Sequence, residues 1–261
     1  MKRIILSVAS TLATAIAALA QTFTTYLPQI AAGSASGIVW NTHMTVTNPA
    51  EVGTSNASVT ITFTKSDGTP FNVTGQYASL SSNGMATPQP NGSTLSFQLS
   101  GGQSRFFLMD ASAPLAVGFA SVTSSAPVTT TSVFVSSYPS GDDIGEAGVS
   151  ASCALSRQSM FVLRSDYNNT AIAYANPNPA TASVTFQLYS TDGVAQFAPV
   201  TRTLSPNNQA SVFITDLFPT ISPAFVGTVR ITTSDATPLS ATTLLLHPTG
   251  QFGALPVVPL P

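Results

Sequence analysis

Three short stretches of this chain alternate apolar and polar residues with hardly a fault: "VTITFT" (59–64), "LSFQLS" (95–100) and "VTFQLY" (184–189). A period of two puts Val59, Ile61 and Phe63 on one buried face and leaves the threonines facing water, which predicts half-buried strands. "RFFLMD" (105–110) and "SVFITD" (211–216) are more continuously apolar, as central or doubly covered strands are. "FASVTSS" and "VRITTSD" then lead across a proline to "TSVFV" and "TTLLL". Branched Val and Thr favour extended backbone throughout. Beyond the first twenty residues, no stretch offers capped helical spacing over three turns. The pattern predicts an all-β chain.

The pattern is also written twice. Residues 41–68 read "NTHMTVTNPAEVGTSNASVTITFTKSDG", and residues 169–193 read "NTAIAYANPNPATASVTFQLYSTDG". Asn48-Pro49 recurs as Asn176-Pro177, Asp67-Gly68 as Asp192-Gly193, Asp110 as Asp216, Gly118 as Gly227 and Pro127 as Pro238. The offset between the copies drifts, as it does when strands are kept and loops change length. The landmarks suit strand punctuation. Asp-Gly supplies a positive φ for a tight hairpin. Asn-Pro ends a strand, because proline lacks a ladder donor and restricts its predecessor. Asp110 and Asp216 each close an apolar strand, where a carboxylate can accept from loop N–H groups. Each copy is roughly 100 residues, the size of one self-contained sandwich. We therefore expect two tandem antiparallel β-sandwich, immunoglobulin-like domains from an internal duplication. Residues 21–150 form the first, 151–156 a linker and 157–261 the second.

The first twenty residues stand apart. Lys2 and Arg3 precede an apolar run that ends in Ala18-Leu19-Ala20 before Gln21. That is the plan of a signal peptide with cleavage after Ala20, and the run is short for a membrane span. Export fits the composition: only 7% of residues are charged, against roughly 25% in ordinary soluble domains, so Ser, Thr, Asn and Gln must carry solubility. Eight basic against ten acidic residues make no field for nucleic acid or for a membrane surface. The single cysteine, Cys153, excludes an intramolecular disulfide; it is buried, free or paired with another chain, and is expected to be a buried or incidental small residue.

The stretches "YLPQIAAG", "NTHMTVTNP", "SDGTP", "GGQSRFFLMD", "GFASV" and "GEAGVSAS" of the first half run parallel to "NTAIAYANP", "STDG", "VGTVRI" and "FGALPVVP" of the second. Together they resemble repeat modules of uncharacterised secreted bacterial proteins with paired β-sandwiches. The resemblance covers nearly all of the chain after residue 20. It implies a secreted or surface role and transfers no catalytic residue.

Chemical motifs are sparse. "GSASG" (33–37) has Ala35 where a nucleophile elbow needs its serine. A Ser-His-Asp triad would have to use His43 or His247, and each is expected as an exposed histidine at a strand edge. Asp142, Asp143 and Glu146 in "SGDDIGEAG" form the one acidic cluster. A calcium ion takes several oxygens from such a loop, although the spaced calcium-loop pattern is absent and a solvated loop between domains explains the cluster as well. The lone tryptophan, Trp40, sits close in sequence to His43, and neither is shared by the second copy. If shared residues hold the fold, function belongs where the copies differ. Trp40 with His43 is then the first candidate for ligand binding, as a stacking ring beside a hydrogen-bonding one; packing within the first sandwich is the alternative for Trp40. The sequence points to a non-enzymatic secreted protein of adhesion, surface structure or protein interaction, meeting an extracellular protein or polysaccharide. A carbohydrate-binding module is the second reading and a secreted hydrolase a distant third.

Overall fold

The computed structural model describes residues 21–78, 85–109 and 113–261, so residues 1–20 and Asp110 lie outside the described residues. The chain is all-β, with two antiparallel sheets among the described residues. The first sheet holds β1 (Phe23–Ala35), β2 (Ile38–Thr47), β3 (Asn56–Lys65), β4 (Val73–Ala78) and β5 (Met85–Gly92). Its remaining strands are β6 (Thr94–Ser100), β7 (Ser104–Met109), β8 (Ala116–Ser124), β9 (Thr129–Ser137) and β10 (Asp143–Ser150). The second holds β11 (Arg157–Arg164), β12 (Asn169–Ala175), β13 (Ala182–Ser190), β14 (Ala195–Leu204) and β15 (Gln209–Phe213). After a single helical turn, α1 (Ile214–Leu217), come β16 (Phe225–Thr232), β17 (Ser240–Leu246), β18 (Phe252–Leu255) and β19 (Val257–Pro259).

The strand pairings of the two sheets correspond. In the first, β1 pairs with β8, β8 with β3 and β3 with β6. The end of β1 turns into β2, which pairs with β7 and β9, and β9 pairs with β10. In the second, β11, β16, β13 and β14 pair in that order, and β11 turns into β12. β12 then pairs with β15 and β17, and β17 with β18. The hairpin β4–β5 extends the first sheet beyond β7, and β19 pairs with β11. Each half has its own apolar core. Leu27, Ile30, Met44, Ile61, Phe63, Leu99 and Phe107 meet in the first; Met160, Ile172, Phe186, Leu188, Ile214 and Val229 meet in the second.

The recurring residues do the same physical work in both halves. Asn48 and Asn176 are buried, and their amides donate to the carbonyls of Leu99 and Leu204 at 3.1 Å, tying the ends of β2 and β12 to β6 and β14. Their side-chain oxygens accept from the N–H two residues on, Ala50 and Asn178, also at 3.1 Å. Thr42 and Thr170 are fully buried, and each hydroxyl makes a two-way bond to one residue of the preceding strand. Thr42 accepts from Ala31 N–H at 2.9 Å and donates to its carbonyl at 2.8 Å. Thr170 does so with Leu163 at 2.9 and 3.0 Å. Asp67-Gly68 and Asp192-Gly193 form one kind of hairpin, with Gly68 at φ +84° and Gly193 at φ +80°. Gly68 N–H donates back to Lys65, and Gly193 N–H to Ser190. Only the glycine takes the left-handed conformation, so the turn is the three-residue hairpin with a glycine bulge.

One strand ends earlier than its apolar pattern suggests. In "SVFITD", β15 stops at Phe213 and the next four residues turn as α1. Ile214 and Leu217 are both buried, which the i, i+3 spacing of a helical turn allows and strand alternation forbids. Asp216 accepts from Phe213 N–H at 3.2 Å, the carboxylate-to-backbone bond anticipated for this position.

The halves are not independent beads. A third apolar cluster joins Ala31, Phe134, Ala147 and Val149 to Phe252, with Trp40, Leu115, Val117, Leu244 and Leu246 packed around it. β1 contributes from a bulge between Leu27 and Ile30, where Pro28 interrupts the register. There Gln29 accepts from Gln209 and, at 3.0 Å, from Ser211. Ser66 donates to the Gln209 side chain at 2.7 Å and its carbonyl accepts from Gln209 N–H. Residues 151–156 are stitched to both sides: Ser152 bridges to Tyr26 and Leu155 to Leu239.

Candidate functional surfaces

β2 runs without a register break between β7 and β9, so its side chains alternate strictly between two faces. Trp40, Thr42 and Met44 share one phase; His43 takes the other. The three-residue spacing therefore sends Trp40 and His43 to opposite faces of the sheet, and they form no joint site. Trp40 is half-buried where the halves meet, its ring centroid 5.6 Å from that of Phe252 at 34°. It neither fills the core of the first half nor stands as an open platform.

His43 is no edge residue, because β2 has a neighbour on each side. It is half-buried, with Leu108 and Val133 opposite it in the register and Phe106 in an edge contact at 5.9 Å. Burial lowers its pKa below the ordinary value, while Glu146 and Asp143 pull it partly back up. The structure thus brings His43 near the acidic hairpin rather than near Trp40. Asp142, Asp143 and Glu146 are all exposed. Asp142 accepts from the Ser140 hydroxyl at 2.9 Å within its own turn, while Asp143 opens β10 opposite Ser137. Among the described residues, no three side chains of His, Cys, Asp or Glu gather so as to hold a metal ion. His247 follows β17, shares its Nδ1 with the Thr249 hydroxyl at 2.7 Å and stacks on Tyr167.

Cys153 is an exposed free thiol, which removes the buried alternative of the two expected for it. The stretch around it crosses between the halves over small residues, with Ser152 bridging to Tyr26 and Leu155 to Leu239. Tyr26, whose phenol pKa burial raises, lies close enough to Cys153 to be raised a little further by it. Next to this crossing a cleft of about 430 Å³ opens between the halves, lined by Gly148, Ser150, Ser152, Thr242, Ala254 and Pro256 among others. Its lining carries no ionisable side chain, so it offers no acid or base for proton transfer.

The outer face of the second sheet has more chemical character. On β11, Met160 and Val162 point into the core and Phe161 points out, 40% exposed. Thr228 lies opposite Phe161 on β16, and Tyr189 lies opposite Thr228 on β13, so the two rings stand in one row across three strands. Two strand spacings separate their backbones by roughly 9.5 Å. Arg230, next along β16 on this face, lays its guanidinium over the Tyr189 ring, 4.2 Å from the centroid. Gln187, Ser159 and Arg157 complete the surround. Sequence reasoning passed over this face. The signal was present in "RQSMFVLR", where Phe161 falls on the polar phase of an alternating strand. Comparison with protein-family models, with curated proteins and with solved structures yields no match.

Proposed function

We propose that the protein is an exported, non-enzymatic binding protein of two immunoglobulin-like β-sandwich domains that arose by internal duplication. It engages an extracellular protein or polysaccharide surface. The observation that carries this reading is the use made of the recurring residues. Asn48 and Asn176, Thr42 and Thr170, and the two Asp-Gly hairpins all serve the same strand pairings in each half, so none is left over for chemistry. The histidines support it too: His43 packs on Phe106, and His247 is engaged by Thr249 two residues further along the chain. A cleft without ionisable groups points the same way.

The experiment is expression of the full chain with its leader in a secreting host. Mass spectrometry of the medium should find protein beginning at Gln21. That material should turn over no substrate in a broad ester and glycoside panel. Intact Met1 on intracellular protein would overturn export, and turnover abolished by His43→Ala or His247→Ala would overturn the non-enzymatic reading. The carbohydrate-binding reading is favoured by one observation, the exposed row of Phe161 and Tyr189 flanked by hydrogen-bonding side chains.

A further inference from the structure

We propose that the outer face of β13, β16 and β11 is a binding site for an acidic polysaccharide, with Arg230 taking a carboxylate and Phe161 stacking on a sugar ring. The inference rests on the binding-protein reading above and names its ligand class. Charge comes first. The chain holds more acidic than basic residues, yet β11, β13, β14, β16 and β19 contain no Asp or Glu at all. Arg157 and Arg230 are exposed on this face with no carboxylate beside them on any of its strands. A surface whose strands carry guanidinium groups and no acidic residue complements a polyanion.

Geometry comes second. The Tyr189 ring holds the Arg230 guanidinium at 4.2 Å, so a side chain with many rotamers is already ordered. A planar, ordered guanidinium suits bidentate recognition of a carboxylate, which a flexible lysine would meet only as a point charge. Phe161 stands in the same row at roughly two strand spacings, leaving Thr228 between them. An aromatic face on one side and a guanidinium on the other match a polymer that repeats both a pyranose ring and a carboxylate.

The first half gives the contrast. Matching registers set Thr62 against Gln187, Thr64 against Tyr189 and Ser121 against Arg230. The corresponding face of the first half carries threonine and serine beside Tyr26 and Phe119 but no arginine, and Pro177 and Asn207 of the second half border it. The face of the second half differs at the positions that could grip an anion, and residues where the copies differ are the ones the fold does not require.

The test is affinity electrophoresis and calorimetry of the mature protein with polygalacturonate, and with uncharged dextran for comparison. Polygalacturonate should bind, with affinity falling as salt rises. Arg230→Gln should weaken it at least tenfold and Phe161→Ala several-fold, both without a change in Tm. Arg202→Gln, on the edge strand β14, should leave it unaltered. Equal loss from Arg202→Gln would mean attraction by net charge alone and would overturn the site. Binding to dextran as strong as to polygalacturonate would overturn the acidic ligand, and no binding to either would overturn the proposal. An exported, catalytically inert protein that binds neither polymer would leave the broader reading standing.

Discussion

Thr42 and Thr170 each close the junction of the first two strands of their unit. A single buried hydroxyl serves both the N–H and the carbonyl of Ala31 or of Leu163. Valine has the same shape but no hydroxyl, so Thr42→Val leaves a buried donor and acceptor unmet and should cost about 1–3 kcal/mol in denaturant unfolding. Thr45→Val, on the half-exposed phase of the same strand, should change stability by less than about 0.5 kcal/mol. His43 carries the pH dependence. Its folded pKa lies below the unfolded value, so the unfolded chain binds the proton more readily. Stability is then full above about pH 6.5 and falls as pH drops through that value towards the folded pKa. The Tm should decline between pH 7.5 and 5.5, and His43→Gln should flatten that part of the profile. These residues mark what was legible. Asn-Thr and Asn-Pro stand out as landmarks in the sequence, but their partners lie on other strands, and nothing local names Leu99 or Ala31. For Trp40 and His43, proximity in sequence suggests a common site, whereas a strand turns residues three apart to opposite faces.

At the scale of elements, two glycines decide how closely strands can lie. A Cβ at Gly118 would sit 1.9 Å from the carbonyl oxygen of Thr64, and one at Gly227 would sit 2.1 Å from that of Tyr189. Both neighbours are backbone of the adjoining strand, which cannot step aside without breaking the ladder. Gly118→Ala and Gly227→Ala should each cost more than about 2 kcal/mol, as steric overlap in a packed sheet does. Gly148→Ala meets nothing within 4 Å and should be neutral or slightly stabilising, which parallel thermal melts would distinguish. Strand identity was readable from alternation, and so was the recurrence of Gly118 as Gly227. The end of β15 was not. Ile214 continues the apolar run, and only the burial of Leu217 three residues later selects a helical turn over another strand residue.

At the scale of the whole molecule, the two halves meet in the apolar cluster around Phe252. Replacing Phe252 by Ala opens a void among Phe134, Ala147 and Val149 and should cost roughly 3 kcal/mol. Most of that loss falls on the contact between the halves, since each half keeps its own core. The native protein should therefore melt in one calorimetric transition, and Phe252→Ala in two. Two transitions already present in the native protein would mean that the third cluster couples the halves too weakly to matter. This contact is not legible in the sequence, because Phe252 belongs to a strand that looks like any other until its neighbours across the gap are known.

The position of Trp40 in that same contact gives the protein an optical property. It is the sole tryptophan, so its emission reports one place, and that place is the seam rather than either core. A force, a ligand or a solvent change that parts the two halves without melting them would wet the indole and shift its fluorescence to the red, while the circular dichroism of the sheets stayed the same. The chain thus contains its own gauge of separation, readable without a label, in which light reports parting of the halves and far-ultraviolet dichroism reports unfolding as two independent signals.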